Sequence, residues 1–191
     1  MNSIENNILE TAIRLFKDNG YDNTSINSIC DACGITKGTF YYHFNSKSEL
    51  IFHYYEYVFG NMMSIMPEII IMKEAKKKLW KLYEYSIDNT TSLGPSLLHA
   101  MIIADAQNGL AYFSPINAGS ISNSRQINVK IMKELVIQAQ NEGTISKDKN
   151  PDLLIQAFNS IIIALALDWS SSTNRYDQKE KLKEMFDTIF I

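Results

Sequence analysis

Proline and glycine are scarce in this chain, four and eight in 191 residues, and cysteine is scarcer still at two. So few breakers, with no stretch of alternating polar and apolar residues, leave long segments of helical periodicity and predict an all-α fold. A basic leader with an apolar core is missing from the opening Met1-Asn2-Ser3-Ile4-Glu5, which argues against secretion. The longest apolar run, Ile161 to Leu167, is closed by Ser160 and Asp168, far short of the ~18 residues a membrane span requires. A cytoplasmic protein with no membrane partner is expected.

Catalytic signatures are absent too. There is no G-x-S-x-G, no phosphate-binding glycine loop and no cluster of metal-ligating types, and the three histidines are far apart, so an enzyme is not expected. The cysteines, Cys30 and Cys33, have C-x-x-C spacing, but neither a second cysteine pair nor a nearby His-x-x-x-His completes a zinc set. No strand precedes them, as a thioredoxin-like motif would need. The expectation is two small, largely apolar side chains, with no metal and no cofactor; a thiol redox switch at Cys30 and Cys33 stands as the alternative.

Basic charge is also in short supply. The chain carries −3 overall. Residues 1–50 hold Arg14, Lys17, Lys37 and Lys47 against Glu5, Glu10, Asp18, Asp22, Asp31 and Glu49, four cations against six anions, or −2. Charge alone does not suggest a nucleic-acid partner, for which a basic footprint is usual.

What the chain does have is a sequence of helix signals. Ile8, Leu9, Ala12, Ile13 and Phe16 recur at helical spacing over residues 3–19, and Gly20 follows as a C-cap. A second helix starts near Thr24 or Ser25 and buries Ile26, Ile29 and Cys30; Gly34 turns the chain, and Thr36 caps a third helix over residues 37–43. Ser46-Lys47-Ser48-Glu49 has capping-box form and announces a fourth helix with Leu50, Ile51, Tyr54 and Val58.

Further on, Pro67 marks a break, residues 68–88 read as one helix, and Gly94-Pro95 opens another carrying Leu97, Leu98, Met101, Ile102 and Ala106. Residues 109–124 are rich in Gly, Ser, Asn and Pro and read as a loop. Helices are expected over 124–141, from Pro151 to about Trp169 and over 177–190, giving about nine to ten in all. The expected domains are 1–46, a three-helix helix-turn-helix, and 47–191, a larger helical bundle.

The stretch Thr24 to Leu50 is the most specific part of the chain. Gly20-Tyr21 leads to Thr24-Ser25; Ile29, Gly34 and Ile35 follow; then comes Lys37-Gly38-Thr39-Phe40-Tyr41-Tyr42-His43-Phe44, closed by Lys47 and Leu50. At this spacing the segment resembles the DNA-binding signature of the TetR family of bacterial transcriptional regulators. Cysteine at 30 and 33, where that family more often has alanine, keeps a small buried side chain.

The resemblance covers residues 8–52. It implies that the third helix enters the major groove of double-stranded DNA. Phe40 and Phe44, four apart, turn inward with Ile26, Ile29 and Ile35. Lys37, Thr39 and Tyr42 are then expected at base edges or thymine methyls, and Tyr41 and His43 at phosphates. Gly38 allows close backbone approach. Thr24, Ser25, Thr36 and Lys47 complete the expected interface at helix starts.

One such unit buries too little surface for tight specific binding, so a homodimer on a palindromic operator is expected, with half-sites ~34–36 Å apart or a multiple of that. The helices at 124–141 and 151–169 are expected to pair across a four-helix bundle through Ile127, Ile131, Leu135, Ile155, Phe158, Ile162 and Leu165, as the family does.

The resemblance further implies a small hydrophobic effector in the larger domain. Its expected lining is Met62, Met66, Trp80, Tyr83, His99, Met101, Asp105, Tyr112, Phe113 and Trp169. The function so implied is a repressor released by that effector; an activator is the alternative.

Overall fold

The computed structural model describes residues 3–107, 123–173 and 175–191, with side chains at 55–61, 63, 105, 107 and 123–126 left aside. Ten α-helices occur among these residues: α1 (Ser3–Asn19), α2 (Ile26–Cys33), α3 (Lys37–His43), α4 (Lys47–Gly60), α5 (Met66–Ile71), α6 (Ala75–Thr91), α7 (Pro95–Gln107), α8 (Asn123–Asn141), α9 (Pro151–Ser171) and α10 (Gln178–Ile189). A 3₁₀ turn, Asn61–Ile65, joins α4 to α5. No strand is present among the described residues.

The first three helices are set by their ends. Gly20 takes the left-handed conformation (φ 86°) that closes α1. Ser25 caps α2 reciprocally: its hydroxyl accepts the Ser28 amide at 3.0 Å, and the Ser28 hydroxyl accepts the Ser25 amide at 3.0 Å. Gly34 (φ 66°) ends α2 in the left-handed region, where a side chain would be strained. The chain then re-enters helix two residues later, because Thr36 accepts the Thr39 amide at 3.1 Å.

Residues 68–88 do not form one helix. Pro67 sits in the first turn of α5, the chain turns extended at Met72 (φ −66°, ψ 145°), and α6 begins at Ala75. The break is held by a distant acceptor, since the Ala75 amide donates to the Glu142 carboxylate at 2.9 Å, beyond the end of α8. At the α8–α9 connection the buried Gln140 donates to the Ser146 and Lys149 carbonyls, each at 2.8 Å. Asn150 then caps α9 by accepting the Asp152 and Leu153 amides.

Two main cores result. One joins Ile8, Leu9, Ala12, Ile13, Phe16, Ile29, Cys30, Phe40 and Phe44 to Leu50 and Ile51 of α4 and to Leu93, Leu97 and Met101. Packing therefore continues across residue 47. The other gathers residues of α6, α8, α9 and α10 around a cluster of edge-on and tilted rings: Tyr83, Phe158, Phe186 and Phe190 have centroids 4.5–6.4 Å apart. Helix α7 touches both halves: Leu97 and Met101 enter the first core, while Leu98 and Ile102 pack with Ala166, Ile163 and Trp169 of α9.

Helix α9 has two apolar seams. Ile155 and Phe158 are buried in their own chain's core, and Ile162 and Leu165 pack against that core. Leu153, Ala157, Ser160, Ala164 and Leu167, at alternating steps of four and three, face outward. Only 22% of its most apolar 18-residue window is buried, although by length and composition the helix is able to cross a membrane. The expected interface set thus took the inward seam. Ile155, Phe158 and, on α8, Leu135 are core residues, whereas Ile127 is exposed and Ile131 half-buried. A helix apolar all round does not reveal in sequence which seam its own chain fills.

Candidate nucleic-acid interface

Helix α3 has seven residues, too few to hold itself together in water. It is held from below. Phe40 and Phe44 are almost wholly buried, their centroids 6.0 Å apart, and pack with Ile29, Cys30, Leu50 and Ile51, while Ile26 and Ile35 close the edges half-buried. The Phe44 amide donates to the Phe40 carbonyl at 2.9 Å and ends the helix.

The other face is open. Tyr42 is 85% exposed and Tyr41 51%, and each ring meets one neighbouring ring. Tyr41 lies edge-on to Phe40 at 5.5 Å, and Tyr42 edge-on to His43 at 4.9 Å. Lys37 and Gly38 are exposed beside them, and a Cβ added at Gly38 would meet only the Thr36 hydroxyl at 3.6 Å. Thr36 and Thr39 share a hydrogen bond between hydroxyls at 3.0 Å, and Ser25 is exposed at the start of α2. Lys37, Thr39, Tyr41 and Tyr42 make this face hydroxyl-rich and aromatic along a helix of seven residues, about 10 Å long.

Three residues expected at this surface turn inward instead. Thr24 is 1% exposed; its hydroxyl donates to the Gly20 carbonyl at 2.8 Å and lies 3.2 Å from that of Leu15, so it fastens the α1–α2 connection. The His43 side chain is 7% exposed, with Nδ1 3.2 Å from the Glu5 carboxylate, which ties the end of α3 to the first turn of α1. Lys47 donates to the carbonyls of Tyr21 (2.7 Å) and Thr24 (3.1 Å) and sits 4.0 Å over the Tyr21 ring. Burial holds this ammonium below the ordinary lysine range.

Composition hid these inward turns because each residue is polar. The unforeseen partners are Tyr21, which carries Lys47 and lies edge-on to Phe16 at 5.0 Å, and Glu5. The only sequence cue was their fixed distance from the helix ends.

Among the described residues, those expected to line an effector site are spread over separate parts of the fold. Met62 and Tyr83 lie in the larger core with Met66 against it, whereas Met101 belongs to the N-terminal core. Trp80 packs on Phe186 at 5.2 Å under Lys183. The Trp169 ring donates to the Tyr176 carbonyl at 3.1 Å. His99 lies 3.3 Å from the hydroxyls of Ser170 and Ser171, in a cleft of about 680 Å³ between the α1–α2 turn, α7 and the end of α9. Tyr112, Phe113 and the side chain of Asp105 lie outside the described residues.

Among the described residues the Tyr83 hydroxyl, whose pKa burial drives upward, has no hydrogen-bonding partner, nor has the Asn128 amide nitrogen on α8. Cys30 and Cys33 are free, and burial pushes the Cys30 thiol up, away from the reactive thiolate. No group of three or more His, Cys, Asp or Glu side chains is arranged to hold a metal ion among the described residues.

Residues 8–54 match the model of the bacterial regulatory proteins of the tetR family. The chain is 44% identical over 69 residues to the uncharacterized HTH-type transcriptional regulator YerO of Bacillus subtilis, a match covering 36% of this chain. The chain spans about a quarter (24%) of that relative's length.

Over the whole length the fold is that of the fatty acid degradation regulator FadR from Bacillus halodurans (TM-score 0.71, 16% identity, covering 100% of this chain and 96% of that one). AibR in complex with isovaleryl coenzyme A and operator DNA is similar too (TM-score 0.64, 23% identity, 98% of each chain). At these identities the likeness speaks for the fold alone, and the signature at residues 8–54 is what decides the lineage. Residues 8–54, which hold the helix-turn-helix, carry the signature of the tetR family of bacterial regulatory proteins.

Proposed function

We propose that the chain is a sequence-specific DNA-binding transcriptional regulator, a repressor that a small hydrophobic molecule releases from a palindromic operator. The observation that carries this reading is the outer face of α3. Two tyrosines held largely exposed on a rigid aromatic base are costly to leave in water and fit a surface of base edges, thymine methyls and phosphates. In this reading Thr39 and Tyr42 read bases, Lys37 spans a base edge and the adjoining phosphate, and Tyr41, Ser25 and Thr36 bond phosphates. The protein works where the DNA is, in the cytoplasm.

The outward seam of α9 supports a homodimer. Leu153, Ala157, Ser160, Ala164 and Leu167 repeat at heptad-like spacing with small residues at the middle, which lets a second helix approach closely. The helix is read as a subunit contact, not a membrane span.

For the effector, coenzyme A thioesters are the first class to try, because AibR is described with one and with operator DNA. The polar atoms of Tyr83 and Asn128, partnerless among the described residues, offer an incoming ligand hydrogen bonds in an otherwise apolar interior. Both α4, through Lys47, and α7, through Leu97 and Met101, would pass a shift in the larger core to the α1–α3 unit. A coupling of ~1–3 kcal/mol, about 5- to 150-fold in affinity, suffices.

Mobility shift on the chain's own upstream DNA, repeated with isovaleryl- and lauroyl-coenzyme A, tests the reading. A retarded palindromic fragment released by one thioester is expected. A purified protein that retains no fragment, from its own locus or from a random pool, ends it.

A further inference from the structure

We infer that this regulator holds its operator almost without counterion release, through a recognition face on which Lys37 is the single phosphate-neutralising cation among the described residues. The inference rests on the DNA-binding reading above and specifies the kind of contact that reading involves. Affinity for duplex DNA normally carries a steep salt dependence, because each lysine or arginine that neutralises a phosphate displaces bound counterions. The number of cations free to do so can be counted from the α1–α4 region.

Arg14, Lys17, Lys37, Lys47 and His43 are the candidates among residues 3–50. Two of the three Lys47 ammonium protons are committed to the Tyr21 and Thr24 carbonyls, with the ring of Tyr21 beneath. Reaching a phosphate would undo the tie between the start of α4 and the start of α2. His43 is enclosed, its side chain 7% exposed and its Nδ1 held 3.2 Å from the Glu5 carboxylate.

Arg14 and Lys17 line a groove of about 500 Å³ on the side of α1 that meets Tyr54 of α4, and Glu10 and Asp18 line it with them. That leaves Lys37, exposed at the first position of α3 and in no ion pair among the described residues. Its neighbours on the ridge, Thr36, Gly38, Thr39, Tyr41 and Tyr42, are all uncharged.

Neutral hydroxyls and rings bind phosphates and thymine methyls without displacing cations. Binding to arbitrary DNA, which is nearly all electrostatic, is then feeble, while operator binding persists. The partner that fits is a duplex whose half-sites offer methyl groups and base edges to tyrosine and threonine. Discrimination comes from the weakness of the competing sites.

Fluorescence anisotropy of the dimer on its selected operator tests this. With two neutralising lysines per dimer, raising salt from ~50 to ~200 mM should weaken binding only roughly tenfold, against about a thousandfold for six contacts. Lys37→Gln should flatten the remaining dependence to within about twofold. Lys47→Gln should lower the melting temperature and weaken binding by one factor at every salt concentration, with the slope kept.

A loss of a hundredfold or more across that salt range overturns the inference while leaving the DNA-binding reading intact, and so does a Lys47→Gln protein whose slope flattens like that of Lys37→Gln. If no duplex is bound even at the lowest salt, the DNA-binding reading falls and takes this inference with it.

Discussion

Helices α3 and α9 both turn unsatisfied surface outward, but the two surfaces differ in kind. On α3 the exposed residues are tyrosines, threonine and lysine, apolar bodies with polar tips, carried on seven residues that depend wholly on Phe40 and Phe44 beneath. On α9 they are leucines, alanines and serine along a 21-residue helix whose inner seam is already filled by its own core. A polar-tipped aromatic ridge suits a wet, charged partner, and an aliphatic seam with small residues suits a dry one of the same kind. Exposure alone would have treated them alike; side-chain chemistry separates duplex from second copy.

The contrast breaks first on α9. Ala164→Arg places a guanidinium in the outward seam, where a paired helix would leave it buried without a partner, at a cost of about 3–5 kcal/mol. The chain should sediment as a monomer at micromolar concentration. Operator affinity should fall by more than a hundredfold as the second half-site is lost, while helicity stays the same. A dimer that tolerates this arginine would mean that the seam faces water, and α8 with Ile127 would take its place as the contact.

A smaller effect sharpens the α3 side. Tyr42 is 85% exposed and meets the edge of the His43 ring, so Tyr42→Ala should leave the melting temperature unchanged. A lost base contact is worth about 1–3 kcal/mol, some 5- to 150-fold, and the loss should concentrate on one operator position in a binding-site scan. Uniform weakening across all positions would move Tyr42 from base reading to phosphate contact.

Much of this was legible before the coordinates because helix ends are written locally. Ser25, Thr36, Asn150 and the glycines at 20, 34, 94 and 143 each act within a few residues, and the helices they bound lie where periodicity puts them. The single helix expected over 68–88 failed because its interruption depends on Glu142, 67 residues from Ala75. The interface set on α9 includes core residues because two seams of similar hydropathy compete, and only the neighbouring α6, α8 and α10 decide which one the chain's own core fills.

In the candidate site the outward aromatic pair followed from the four-residue spacing of Phe40 and Phe44. The inward turn of Thr24, His43 and Lys47 did not, since each answers to a partner elsewhere: Leu15, Glu5 and Tyr21. The expected effector residues were chosen by type, and type does not distinguish a buried core ring such as Tyr83 from a wall facing a ligand.

The smallest effect concerns the layer beneath α3. Cys30 is buried against α1 and α3, and Cys33 is half-buried with its thiol 3.9 Å from the Asn7 carbonyl. If these thiols only fill space, Cys30→Ala with Cys33→Ala should leave operator affinity within about twofold and cost ~1–2 kcal/mol of stability from the small volume removed. Alkylation of the native protein should modify Cys33 first, because Cys30 is both enclosed and pushed toward the neutral thiol. A redox regulator would behave otherwise: mild oxidant would release the operator from the native chain and leave the double variant bound. Anisotropy with and without oxidant on the two proteins separates the cases, and equal binding in all four samples would make the base under the recognition helix chemically inert.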